Sequence, residues 1–224
     1  MGRTHNPDTP PALWVGQLLH GACLAVLLAL AAVAWTLLGK PFPVAFWSAI
    51  AVPVVHQVFV WLSWRLELAS SATARTIGFQ AYLACFFVLL GGRVVSVLAL
   101  ASIDRGSLSL PMITRAITTL ILSLIWVYAA HSIHRHFGFV RGAGADHFDP
   151  GYRTKPLVKE GIFRLTSNGM YVYGFVIFWA IAIGFNSVAA LTVAAFSHAY
   201  IWVHFYATEK PDMNYIYASA RKPS

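Results

Sequence analysis

The chain alternates between long apolar runs and short polar stretches, and the lengths of the apolar runs predict membrane-spanning helices. A transmembrane helix needs about 20 mostly apolar residues to cross a hydrocarbon core of roughly 30 Å. Six segments come close to that length: Leu13–Leu38, Val44–Trp64, Ile77–Ile103, Pro111–Ala130, Tyr171–Phe185 and Ser187–Tyr206. We therefore predict an all-α polytopic membrane bundle of about five or six transmembrane helices.

The last two apolar runs differ from the others because the first of them is short. It ends at the break Gly184-Phe185-Asn186-Ser187, which predicts a tight helical hairpin. Five crossings with one re-entrant pair are the alternative. No repeat, low-complexity tract or long linker divides the chain. We therefore predict one membrane domain over residues 1–224, with N-terminal helices in 1–130 and a catalytic part in 131–224.

Composition excludes a water-soluble fold, because 58% of the residues are apolar, 11% are charged and the mean hydropathy is +0.65. The formal net charge of +8 is better explained by anionic lipid head groups than by nucleic acid, since the basic residues flank the apolar runs. Cys23 and Cys85 both lie inside apolar runs. Two such cysteines predict neither a disulfide framework nor a metal site.

The distribution of basic residues predicts the orientation, because short cytoplasmic loops carry an excess of Lys and Arg. With six spans, twelve of the sixteen basic residues fall on the side of the N-terminus, the long loop after position 130 and the C-terminal tail. Lys40 and Arg105 fall on the other side, while Arg93 and Arg115 lie within spans. We expect these loops to be cytoplasmic. The membrane is expected to be a bacterial inner membrane, and a protein of the endoplasmic reticulum would show the same distribution of basic residues.

Acidic residues are scarce, and five of the eight lie between positions 146 and 212. Glu209 ends the last span, on a face shared with Trp202 and Phe205 at helical spacing. A carboxylate there is costly to bury without a cation, which is either a protein Arg or Lys or a cationic ligand. A metal site at His131 and His134 lacks any established zinc spacing, so we expect no metal.

A series of short motifs carries a family resemblance. In order they are Phe137-Gly138-Phe139, Asp146-His147-Phe148, Gly161-Ile162-Phe163, Asn168-Gly169-Met170-Tyr171, Glu209-Lys210-Pro211 and Tyr215-Ile216-Tyr217. Over roughly 132–217 the chain resembles the integral-membrane phospholipid methyltransferases of the phosphatidylethanolamine N-methyltransferase type. Their superfamily also includes isoprenylcysteine carboxyl methyltransferases. The first half of the chain contributes little to this resemblance.

The resemblance implies an S-adenosylmethionine-dependent methyltransferase of the EC 2.1.1 class, with its cofactor pocket near the cytoplasmic face. By position, Gly138, Gly142 and Gly144 resemble the family's glycine-containing cofactor element, and Glu209 resembles one acid of its paired-glutamate element. The chain has Thr208 where many relatives have the second acid.

The chemistry of the cofactor and of a lipid acceptor suggests further site residues. A sulfonium cation favours carboxylate and aromatic faces. The cofactor-binding candidates are therefore Glu209, Tyr171, Trp202 and Tyr206, together with Asn168 and the three glycines. A phospholipid phosphate needs Arg or Lys, and the candidates are Arg141, Arg153 and Arg164. The amine must lose a proton, for which His147 is the predicted base and Asp146 its orienting partner.

The sequence leaves several functions open. The first is N-methylation of phosphatidylethanolamine and its methylated derivatives, with a membrane phospholipid as partner and no nucleic acid. The others are methylation of a prenylcysteine carboxylate or a small thiol, and a non-catalytic lipid-binding or transport role. Carboxylate methylation needs no base, so replacement of His147 separates it from amine methylation. Arg93 is expected to form a structural contact or the mouth of a lipid cavity, and Arg115 to snorkel to the interface.

Overall fold

The computed structural model describes residues 9–156 and 158–218, and this part of the chain is helical without any strand. The first helices are α1 (Gln17–Leu37), α2 (Pro43–Ser70), α3 (Ala72–Thr76), α4 (Phe79–Ile103) and α5 (Met112–Ser132). Short helices follow in the long loop: α6 (Phe139–Gly142), α7 (Ala145–Phe148) and α8 (Pro150–Arg153). The last helices that the structure describes are α9 (Gly169–Gly174), α10 (Val176–Gly184), α11 (Val188–His204) and α12 (Lys210–Ile216).

Five helical stretches are long and apolar enough to cross a membrane, and residues 169–184 form a shorter apolar pair, α9 and α10. This confirms the predicted all-α membrane bundle. The helices extend further than the apolar runs did: α2 continues to Ser70, and the last stretch continues from α11 to Ile216. The hairpin before α11 turns at Asn186, which has a positive φ of 59°. The Ser187 side chain then caps α11 by accepting a hydrogen bond from the Ala190 N–H.

The two ends of the bundle differ. At the turn end, short connections at 38–42, 104–111 and 185–187 join the helices. At the loop end lie residues 9–16, the turn around α3, the segments 133–156 and 158–168, and the helix α12. The loop end carries almost all of the predicted site residues, because the long segment and the end of the last helix meet there.

Helix α11 is the centre of the bundle and packs against α1, α2, α4 and α10. Its inner face consists largely of small residues, and Ala189, Ala190, Val193 and Ala194 are fully buried. Small side chains let helix backbones approach closely, which is how membrane helices gain packing energy. The outer faces expose large apolar residues such as Leu18, at 90% of its area. The lipid-facing surface is therefore apolar, and the interior holds the polar groups.

Candidate functional site

Two π-helical segments lie at the loop end, Ile133–Phe137 after α5 and Phe205–Glu209 between α11 and α12. A π-helical turn inserts an extra residue, shifts the following side chains around the axis and often marks a functional site. The second segment contains Glu209. The direction of this carboxylate therefore departs from the regular helical spacing by which the sequence placed it on a face with Trp202.

Glu209 lies in a group of aromatic side chains, which we call the Glu209 cluster: Tyr171, Trp202, Phe205 and Glu209. The Tyr171 hydroxyl donates a hydrogen bond to Glu209 Oε2. The Tyr171 ring centroid is 5.9 Å from that of Trp202 and 5.6 Å from that of Phe205. Within the described ranges, no Arg or Lys forms a salt bridge with Glu209. A partly buried carboxylate among π faces is a suitable environment for an organic cation.

Tyr206 extends this cluster toward the outside. Its ring lies 6.2 Å from Trp202, and 53% of its area is exposed. The Lys210 Nζ lies 5.3 Å from the same ring. Four of the predicted cofactor-binding residues are thus brought together: Tyr171, Trp202, Tyr206 and Glu209. The cluster also contains Phe205, which the sequence analysis placed on the same face without a role.

The predicted glycine element serves the packing of the long loop in this structure. Gly144 has a φ of +88°, and a Cβ built there would lie 2.4 Å from the Trp64 ring, so only glycine fits. Gly142 faces Met170, whose sulfur would lie 3.4 Å from such a Cβ. Gly138 also has a positive φ, 88°, and ends the first π-helical segment. None of these contacts reaches Glu209.

Asn168 precedes α9 and is half-buried, and its carbonyl accepts hydrogen bonds from the backbone of Tyr171 and Val172. It therefore supports the start of the helix that carries Tyr171.

His147 packs beneath Trp64, with the two rings stacked at a centroid distance of 4.1 Å. Its Nε2 lies 3.3 Å from Asp212 Oδ2, and its Nδ1 lies 3.2 Å from the Gly144 carbonyl oxygen. The other Asp212 oxygen lies 2.7 Å from Arg65 Nε, and the side chains of Arg65, His147 and Asp212 are fully buried. The carboxylate that contacts His147 is therefore that of Asp212. The sequence analysis had expected Asp146 in this position.

Asp146 takes part in a separate buried network. Its carboxylate lies 3.4 Å from Arg141 Nε and accepts a hydrogen bond from the Tyr217 hydroxyl. Arg141 Nη2 donates to the Tyr217 oxygen at 3.0 Å. Burial, together with the hydrogen bond to Asp146, raises the pKa of Tyr217 to about 12. This network ties the end of the chain to the long loop, and it occupies the charge of Arg141 inside the protein.

The three predicted phosphate ligands do not converge. Arg141 is buried and pairs with Asp146. Arg153 is half-buried, and its Nε donates to the Asp146 carbonyl at 3.3 Å. Arg164 is exposed at the end of a short 3₁₀ helix. Their neighbourhood in the sequence suggested a shared task, but the loop folds so that each side chain has a different environment.

The sequence analysis missed Arg65 and Asp212, because they are 147 positions apart and each looks like an ordinary interfacial residue. It also missed the chain of polar contacts along α1 and α11. There, His20 Nε2 lies 2.8 Å from the Tyr200 hydroxyl, and the Gln17 amide donates to Thr208 Oγ1 at 3.1 Å. Thr208 is fully buried in this contact. The one available signal was the run of polar residues at spacings of three and four in α11.

Comparison with known proteins agrees with these motifs. Residues 114–220 match the family described as phospholipid methyltransferase. Over 101 residues, 45% of this chain, the sequence is 31% identical to a phosphatidylethanolamine N-methyltransferase from Debaryomyces hansenii. The matched part is 11% of the length of that yeast protein, so the chain spans only a small fraction of this relative. No solved structure matches the chain. The match over residues 114–220 thus confirms the resemblance to the phospholipid methyltransferases that the motifs indicated.

Proposed function

We propose that this protein is an S-adenosylmethionine-dependent methyltransferase that methylates the head-group amine of a membrane phospholipid, namely phosphatidylethanolamine or its methylated derivatives. The family match over 114–220 and the name of the yeast relative support the reaction class. The observation that carries the proposal is the Glu209 cluster, in which the carboxylate lies among three aromatic rings and forms no salt bridge with any Lys or Arg that the structure describes.

The residues of this cluster fit the cofactor. Bound S-adenosylmethionine supplies a methyl group on a positively charged sulfur. Glu209 balances a cation at this position, and the faces of Tyr171, Trp202 and Phe205 attract it through their π electrons. The hydrogen bond from Tyr171 fixes the carboxylate rotamer before any ligand arrives. Tyr206 and Lys210 at the exposed edge are suited to the polar ends of the cofactor, because they are accessible from the loop end.

The acceptor nitrogen must be a neutral amine when it attacks. Its lone pair then forms the new N–CH₃ bond while the electrons of the broken C–S bond return to sulfur. We propose His147 as the base, with Asp212 as its positioning partner. Both ring nitrogens face oxygen atoms in this conformation, so the acceptor amine reaches Nδ1 of His147 only when its 3.2 Å contact with the Gly144 carbonyl opens. Trp64 holds the ring in position through stacking.

The proposed site faces the cytoplasm. This orientation rests on the excess of Lys and Arg in the loop end, and a cytoplasmic site has access to soluble S-adenosylmethionine and to the inner lipid leaflet.

The test is methyl transfer from radiolabelled S-adenosylmethionine by the purified protein in detergent. The acceptors are phosphatidylethanolamine, its monomethyl and dimethyl forms, a prenylcysteine and a small thiol. Glu209→Gln is the test variant and Glu160→Gln the matched control, because Glu160 is an exposed carboxylate of the same loop end. We expect label in phospholipid with the wild type and the control, and loss of label with Glu209→Gln.

Label in the prenylcysteine or thiol alone would replace the substrate class. Absence of label in all acceptors, together with absence of cofactor binding, would refute the proposal that the protein is a methyltransferase.

A further inference from the structure

Arg93 is a buried cation without a carboxylate partner. It lies near the middle of α4, and only 2% of its area is exposed. Its Nε and Nη2 have no hydrogen-bond partner. Its guanidinium carbon lies 4.8 Å from the Phe175 ring centroid and 5.8 Å from that of Phe178. In the described ranges, no Asp or Glu forms an ion pair with it.

The neighbours of Arg93 also lack partners. Both ring nitrogens of His56 are buried without a hydrogen bond, and so is Nδ1 of His204. Both histidines interact electrostatically with Arg93, as does Tyr200. The surroundings therefore offer a guanidinium, two imidazoles and a phenol, but no carboxylate. We call this group the Arg93 cluster: His56, Arg93, Tyr200 and His204.

Cation–π contacts do not compensate for the burial of this charge. The free-energy cost of burying an uncompensated ion in a protein interior exceeds what a desolvated cation–π contact returns. The uncompensated part of this cost favours the binding of an anion. A guanidinium with free N–H groups binds an oxyanion through charge-assisted hydrogen bonds.

The Arg93 cluster lies further from the loop end of the bundle than the Glu209 cluster does. Side chains in a helix point toward its N-terminus, and the N-terminus of α4 is at the loop end, so the Arg93 side chain extends toward the loop end. Its contact residue Phe175 follows Tyr171 by four positions and lies at the junction of α9 and α10, which is roughly one helical turn of about 5.4 Å further along. The guanidinium therefore lies about one turn deeper in the bundle than the Tyr171–Glu209 pair.

We propose that Arg93, assisted by His56 and His204, binds the phosphate of the acceptor phospholipid. This inference rests on the proposed function. One oxygen and two carbons separate the phosphorus of an ethanolamine head group from its amine nitrogen, and this span is comparable to one helical turn of about 5.4 Å. A phosphate on Arg93 thus leaves the amine at the level of the Glu209 cluster, where the methyl group is delivered. The loop arginine Arg141 is already paired with Asp146, whereas Arg93 has two N–H groups without partners.

The first experiment separates phosphate recognition from methyl transfer. The variants are Arg93→Lys and Arg93→Gln, and Arg115→Gln is the matched control, an intramembrane arginine on α5 outside the proposed site. The acceptors are phosphatidylethanolamine and a phosphate-free long-chain alkylamine. We expect Arg93→Gln to raise the KM for phosphatidylethanolamine tenfold or more, with the KM for S-adenosylmethionine and the rate with alkylamine unchanged. Arg93→Lys recovers part of the loss, and Arg115→Gln has no effect.

An equal loss with both acceptors, or no change in the KM for phosphatidylethanolamine, overturns the inference. The unfolding temperature of each purified variant identifies misfolding, and Arg93→Lys keeps the charge if Arg93→Gln does not fold.

A binding experiment identifies the source of the anion and does not depend on turnover. Quenching of Trp fluorescence is titrated with short-chain phosphatidylethanolamine and, separately, with inorganic phosphate. Lipid binding that weakens in Arg93→Gln supports the inference, even if the wild type methylates no phospholipid, in which case only the proposed function fails. An Arg93-dependent response to inorganic phosphate alone would overturn the assignment to a lipid head group.

Discussion

Two carboxylates at opposite ends of the bundle show how the same chemical group serves different purposes. At the turn end, Asp104 Oδ2 accepts hydrogen bonds from the Ser107 and Ser187 hydroxyls and from the Ala189 N–H. At the loop end, Glu209 accepts a hydrogen bond from Tyr171, whose ring packs near Trp202 and Phe205. Asp104 is thus satisfied by neutral donors from the chain, whereas Glu209 forms no salt bridge with a Lys or Arg of the described residues.

Asp212 shows that position alone does not decide between these purposes. It lies three residues after Glu209, yet both of its oxygens are occupied, one by Arg65 and the other by His147. A carboxylate whose oxygens are occupied stabilises the fold and orients its neighbours. A carboxylate that accepts one hydrogen bond from a phenol, as Glu209 does, still has unpaired acceptor positions for a ligand.

The largest effect is expected for Asp212→Ala. The replacement leaves Arg65 as a buried charge without its partner, and breaking such a pair costs about 3–5 kcal/mol. Chemical denaturation in detergent should show this loss of unfolding free energy. The double variant Arg65→Met/Asp212→Leu removes both charges and should recover most of it. If Asp212→Ala is as stable as the wild type, Asp212 does not stabilise the fold through its ion pair with Arg65.

Glu209→Gln is expected to affect activity with little change in stability. Glu209 stabilises the positive charge of the bound cofactor, so its loss is expected to weaken cofactor binding and to lower kcat/KM for S-adenosylmethionine by about 10–100-fold. The amide still accepts the Tyr171 hydrogen bond, so the unfolding temperature should stay close to that of the wild type. Initial rates with saturating phosphatidylethanolamine and a thermal melt measure the two quantities. A large drop in stability with unchanged rate would place Glu209 with Asp104 as a structural group.

Asp104→Ala is expected to show the reverse pattern. It removes hydrogen bonds that hold the start of α11, and losing a helix cap costs about 0.5–2 kcal/mol. The denaturation midpoint should fall, while the KM for S-adenosylmethionine of the folded protein stays the same. A changed KM would show that the two ends of the bundle are coupled.

The smallest effect concerns Tyr217, whose pKa is raised from 10.0 to about 12 by burial and by its hydrogen bond to Asp146. The folded protein keeps the phenol proton at pH values where the unfolded chain has lost it. The stabilisation by the neutral phenol is therefore present below pH 10 and is lost as pH rises toward 12. Unfolding free energies between pH 9 and about 12 should decline less steeply in Tyr217→Phe than in the wild type. Parallel curves would exclude Tyr217 as the titrating group.

The sequence by itself determined the all-α membrane bundle, the resemblance of its C-terminal half to the phospholipid methyltransferases and the closeness of Trp202 to Phe205 on one helix. These features depend on local patterns: the length of an apolar run, the spacing of residues on one helix and short motifs. Only the tertiary structure paired His147 with Asp212, placed Arg141 on Asp146 and left Arg93 without a carboxylate. Such contacts join residues far apart in the chain, and the charges that remain free depend on which partners the folded helices bring within a few ångströms of each other.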